Sequence, residues 1–132
     1  MTVFVDTSAL IALLDADEAK HAACAREWKR LLGSDASLVT SNYVIVETCA
    51  VAQRRLGMDA VRSLTTDFMP LLAIDWVEET LHGAGHAAML TANRKELSLV
   101  DCVSFEIMRR RDVGTAFALD RDFADQGFSV VP

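Results

Sequence analysis

At 132 residues, 52% of them hydrophobic, the chain has the size of one ordinary domain and can bury roughly two-thirds of its unfolded surface without disulfide or metal staples. A net charge of −6 excludes broad, sequence-blind attraction to nucleic acid, which depends on Lys and Arg neutralising phosphates. No apolar run approaches the ~18 residues of a bilayer span and no basic leader precedes the first strand; with Cys24, Cys49 and Cys102 reading as reduced core thiols, a cytoplasmic, non-membrane protein is expected.

Short apolar runs alternate with longer helical ones and no linker or repeat interrupts them, which predicts a single α/β domain over residues 1–132 with a helix-covered parallel sheet. Thr2 to Val5 reads as the first strand and Ser8 to Leu14 as the first helix. A second helix spans Glu18 to Leu32, with Gly33 where a helix end needs a left-handed residue. The second strand is Ser37 to Thr40 and the third helix Asn42 to Leu56, stopped by Gly57. Asp59 to Phe68 forms a fourth helix, closed by Pro70. A third strand, Leu71 to Ile74, leads into a helix from Val77 to Lys95, for which Asp75 and Glu78 have capping-box spacing. Ser98 and Asp101 have the same spacing at the start of a helix from Ser98 to Arg111. A strand from Thr115 to Leu119, a short helix from Asp122 to Ala124 and a strand from Phe128 to Val131 follow.

Most of the 19 acidic residues lie among polar neighbours, but a few interrupt apolar segments, where an unpaired carboxylate costs several kcal/mol or takes up a proton. Asp6 ends Val3-Phe4-Val5 and Asp120 ends Phe117-Ala118-Leu119, at the carboxyl ends of strands where open α/β sheets bind ligands. Glu47 stands inside Tyr43 to Val51, a segment apolar on nearly every helical face, and Asp101 stands among Leu97, Ser98, Ser104 and Phe105. Four such acids can converge on one hard cation, Mg²⁺ or Mn²⁺. Singly, each has a plainer explanation: a helix cap for Asp6, Asp101 and Asp120, or an ion pair with Arg54 or Arg109 for Glu47. Asp75 also ends an apolar run, and its Glu78 partner makes a cap the simpler reading there.

Taken together, Val5-Asp6-Thr7-Ser8-Ala9-Leu10, Glu47 in the third helix, Leu97-Ser98-Leu99-Val100-Asp101-Cys102-Val103-Ser104-Phe105 and Leu119-Asp120-Arg121-Asp122-Phe123 resemble the PIN-domain nucleases. Within them the chain is similar to the VapC-type toxins of toxin–antitoxin pairs. The resemblance covers nearly the whole chain and rests on four motifs in order. It implies a three-layer α/β/α fold with a five-stranded parallel sheet of order 3-2-1-4-5 and a Mg²⁺- or Mn²⁺-dependent endoribonuclease acting on RNA. It also implies a homodimer held in check by a cognate antitoxin. Asp6, Glu47, Asp101 and Asp120 fall on the family's acidic positions, with Asp122 a supporting metal ligand, and the strand before Asp75 becomes an edge away from the site. One departure is Ala118, where the family often has Thr or Ser.

Thr7 and Ser8 are candidate supporting residues, with Ser8 able to donate to a phosphate or a water, or to serve as an ordinary helix cap. Ser98 supports Asp101 through the capping box. RNA contact would fall to the Arg109-Arg110-Arg111 or Arg54-Arg55 clusters, although cations at helix C-termini also suit the helix dipole. His82 and His86 lack the zincin pattern and read as surface histidines. Trp28, Trp76 and the stripe Ala22, Ala25, Trp28, Leu32 read as packing, with an exposed part of the stripe able to bind an antitoxin helix. Two rival functions are aspartyl-phosphate chemistry and a catalytically silent PIN-like binding module. The first needs a lysine at a strand end, where Lys20, Lys29 and Lys95 are not.

Overall fold

The computed structural model describes residues 1–132 and centres on a five-stranded, all-parallel sheet. Strand β1 (Thr2–Val5) lies in the middle, flanked by β2 (Ser37–Ser41) and β4 (Thr115–Phe117), with β3 (Ala73–Asp75) and β5 (Ser129–Val131) at the edges. The order 3-2-1-4-5 is the one the resemblance implies. Val3, Phe4 and Val5 are fully buried, as a central parallel strand covered on both faces must be.

The helices are α1 (Thr7–Leu14), α2 (His21–Leu32), α3 (Asn42–Arg55), α4 (Met58–Ser63), α5 (Glu79–Ala92), α6 (Leu99–Arg110) and α7 (Asp122–Asp125). They cover the sheet in an α/β/α arrangement around one apolar core. Phe4 meets Phe123 of α7, which stands edge-on to Phe105 of α6 with centroids 5.1 Å apart. Trp28 of α2 packs on Phe117 and Phe68, as a core tryptophan.

Several local expectations give way. Gly33 is right-handed (φ −82°), whereas Gly57, at φ +95°, uses the freedom of a missing Cβ. The helix from Asp59 ends at Ser63 and continues as a π-turn, Leu64–Phe68. The packing stripe of α2 is Cys24, Trp28 and Leu31, one position out of phase with the expected one: Ala22 and Leu32 are exposed. Trp76 is 69% exposed.

Asp75 is not a cap, because α5 starts at Glu79 with Glu78 in the cap position, three residues past Asp75, and no side chain caps it. The Asp75 carboxylate instead takes a hydrogen bond from Arg111 Nε at 2.7 Å. Helix α5 closes at left-handed Asn93 (φ 52°). It packs against α6 so closely that a Cβ on Gly85 would stand 2.4 Å from a Val103 methyl. No helix is long and apolar enough to cross a membrane.

Candidate active site

Parallel strands aim their carboxyl ends at one edge of the sheet, and the chain leaves β1 there through Asp6. Asp6 caps α1: its Oδ2 takes hydrogen bonds from the Ser8 amide (3.1 Å) and the Ser8 hydroxyl (2.7 Å). Its Oδ1 is buried with no hydrogen-bond partner, the one such side-chain atom in the chain. Capping therefore explains half of this carboxylate and leaves the other half unexplained.

The Ser8 hydroxyl is not free to meet a phosphate. It donates to Asp6 and accepts from the Leu119 amide at 2.9 Å, joining the start of α1 to the loop after β4. That loop carries Asp120, three residues beyond the end of β4 rather than at its end. An Asx turn, Asp122 N–H to Asp120 Oδ1 at 3.2 Å, holds it. Ala118 is buried and offers no hydroxyl here, and the hydroxyl at this loop comes from Ser8.

Asp101 sits in the first turn of α6 in a complete capping box. Its Oδ2 accepts from the Ser98 amide at 3.0 Å, and its own amide donates to Ser98 Oγ at 3.1 Å. As with Asp6, the cap engages one carboxylate oxygen. Glu47 is half-buried on α3 and has no ion pair: Arg109 donates instead to Gln126 and lies over Phe128. Helix α3 is not apolar on all sides of a buried rod, since Val46 beside Glu47 is 67% exposed. Thr7 and Thr48 set its distance from α1, with Thr7 donating to the Val44 carbonyl and Thr48 donating to Thr7 at 3.3 Å.

Asp6, Glu47, Asp101 and Asp120 line one open cavity of about 480 Å³, together with Thr7, Ser8 and Ser98. Asp122 stands beside it but does not line it. One lining acid falls outside the expected set, Glu18 from the loop before α2, while Arg55, from the expected Arg54-Arg55 cluster, is the only Lys or Arg in the wall. For Glu18 the one available signal was the acidic stretch Asp15 to Glu18, which is indistinguishable from a solvated loop.

The carboxylates feel one another. Burial pushes Asp6 up to about 7, its Ser8 hydrogen bonds pull it down, and the charges of Asp120 and Asp101 raise it further. Burial likewise raises Asp120, to about 6, helped by Asp101, Asp122 and Glu47. Asp101 is raised by burial, against its Ser98 hydrogen bonds, and by Asp122. No three His, Cys, Asp or Glu side chains stand close enough together to form a ligating group. An all-oxygen donor set with one buried, unpartnered Oδ1 nevertheless fits a hard divalent ion.

Elsewhere, His82 is half-buried against the Tyr43 hydroxyl and only His86 is exposed. Cys24, Cys49 and Cys102 are all free thiols.

The chain matches the PIN domain family over residues 3–129. Among curated relatives, the 23S rRNA-specific endonuclease VapC20 of Mycobacterium tuberculosis, in strains CDC 1551 / Oshkosh and H37Rv alike, is 32% identical over 127 residues, covering 96% of this chain and 95% of the relative. The crystal structure of Mycobacterium tuberculosis VapC20, a sarcin-ricin loop cleaving toxin, is similar with a TM-score of 0.86 and 31% identity, over 98% of this chain and 99% of that one. FitAcB from Neisseria gonorrhoeae shares the fold at a TM-score of 0.69 and 15% identity, over 100% and 97% of the two chains. The chain belongs to the PIN-domain family and, within it, to the VapC-type nucleases.

Proposed function

We propose that residues 1–132 act as one PIN domain, the toxin of a toxin–antitoxin pair, hydrolysing RNA phosphodiester bonds with Mg²⁺ or Mn²⁺. The observation that carries this reading is the buried Asp6 Oδ1, which lacks a partner in a cavity wall shared with Glu47, Asp101 and Asp120. Together these four would hold the cation, which when bound supplies charge neutralisation and an activated water for in-line attack.

Each remaining residue has a narrower task. Ser8 orients Asp6 and fixes the Asp120 loop, and Ser98 orients Asp101. Thr7 spaces α1 from α3. Asp122 acts through Asp120, by its amide and by its charge, rather than as a ligand. The RNA of the similar VapC20 proteins, 23S rRNA, is the first substrate to try. The cytoplasm is the proposed place of work, an antitoxin protein the proposed inhibitor, and a homodimer the proposed assembly, for which exposed Val46 offers apolar surface.

The test is Mn²⁺- and Mg²⁺-dependent cleavage of 23S rRNA and of a mixed RNA pool by wild type and by Asp6→Asn. Cleavage by wild type that is lost in the variant and in chelator supports the reading. Equal residual cleavage in both would point to a contaminant and return the silent-module alternative, for which no feature of the site speaks.

A further inference from the structure

An endoribonuclease whose cavity is walled by five acids and one arginine repels its own substrate everywhere except at the bond to be cut. The strand on either side of that bond needs cations, and the chain has 13 Lys and Arg to offer. In the most conspicuous run, Arg109 bonds Gln126 and covers Phe128 and Arg111 holds Asp75, while Arg110 is only loosely paired, 3.9 Å from Glu106, and lies about 18 Å along α6 from Ser98, twelve residues at helical rise.

A second open groove, of about 690 Å³, runs between the end of α5 and the start of α6. It shares Ser98 with the carboxylate cavity, so the two adjoin at the N-cap of α6. Arg94 and Lys95 line it, both exposed, with Asn93 and the 67% exposed Leu90 beside them. Its only acid, Glu96, stands 3.9 Å from Arg94 across half-exposed side chains, a pair too weak to withhold the guanidinium from a phosphate. Arg55 also lines the carboxylate cavity, about 12 Å along α3 from Glu47, eight residues at helical rise, and has no ion pair.

Resting on the ribonuclease reading, we infer that single-stranded RNA crosses the carboxylates from Arg55 to the Asn93–Ser98 groove. Arg94 and Lys95 hold its phosphates there, and Leu90 offers an apolar ledge to a base. Specificity for the sequence flanking the cut then lies in the loop between α5 and α6 rather than in the carboxylate cavity.

The experiment compares the full chain with Arg94→Ala/Lys95→Ala, Arg55→Ala and Arg110→Ala as the charge control, on an RNA that wild type cleaves. The double variant should raise KM roughly tenfold, leave kcat within about twofold, and flatten the dependence of log KM on log salt by about 1.4, the share of two single-strand phosphate contacts. Arg55→Ala should flatten it by about 0.7, and Arg110→Ala should do neither. If the double variant matches Arg110→Ala in KM and salt slope, the path is wrong. Failure of wild type to cleave any RNA defeats the ribonuclease reading instead. Fluorescence anisotropy with single-stranded RNA then decides the path alone, with the same slopes expected in binding and equal slopes in all proteins overturning it.

Discussion

The Ser8 hydroxyl is hydrogen-bonded to Asp6 Oδ2 at 2.7 Å while accepting the Leu119 amide at 2.9 Å, so one side chain sets both the first carboxylate and the loop of the last. Ser8→Ala should therefore weaken Mn²⁺ binding and cleavage by about 10–100-fold, the range for loss of a partner that orients a metal ligand. Its loss also removes a hydrogen bond that lowers the Asp6 pKa, so the acidic limb of the pH–rate profile should move upward. Titration calorimetry and a pH–rate series check this; an unchanged profile would reduce Ser8 to a helix-terminal residue.

Removing a ligand should cost more than removing its support. Glu47→Gln, Asp101→Asn and Asp120→Asn should each reduce cleavage by more than the ~100-fold of a supporting residue. Asp122→Asn, whose backbone amide keeps its bond to Asp120, should stay well within that range. Single-turnover rates at saturating Mn²⁺ make the comparison.

Without metal, acidity should favour the fold. Asp6 near 7 and Asp120 near 6 hold protons that the unfolded chain, at the ordinary 3.8, has already released. Their stabilisation is fully present below the unfolded value and is lost as pH rises through 6 and 7. In chelator, Tm should be higher at about pH 5 than at about pH 8 from this source, and Asp6→Asn should abolish most of the difference. At the higher pH that variant should be the more stable of the two. Mn²⁺ should reverse the trend, because it competes with those same protons. Thermal melts with and without chelator decide it.

Two substitutions outside the cavity wall separate stability from chemistry. Gly85→Ala forces a methyl into Val103 between α5 and α6 and should cost about 1–3 kcal/mol in urea unfolding. Arg111→Ala breaks a half-exposed pair with Asp75 and should cost under about 1 kcal/mol, with cleavage unchanged.

The strands and the four carboxylates were legible because both follow from short-range pattern. A buried run ended by an acid needs no tertiary knowledge to be noticed. What escaped depends on partners far along the chain. Asp75 with Glu78 has cap spacing, yet Arg111, 36 residues away, takes the carboxylate. Ser8 looked like a cap or a phosphate donor because nothing local points to Leu119, 111 residues on. The phase of α2 was misjudged because alanines score as apolar on either face, and the sheet chose Cys24, Trp28 and Leu31. The Arg54-Arg55 cluster was legible as a candidate RNA contact, but the Arg94–Lys95 groove was not, because only the fold brings the end of α5 beside the acids.

The bond from Ser8 to Leu119 also orders events in time. The carboxylates come from positions 6, 47, 101 and 120, and the loop that carries the last is pinned by a residue made near the beginning. A ribosome making this chain exposes the early acids long before Asp120 exists, and no partial product can assemble the full set. The acidic site is therefore incomplete in every partial product that stops short of Asp120, and it closes only when Leu119 docks on Ser8.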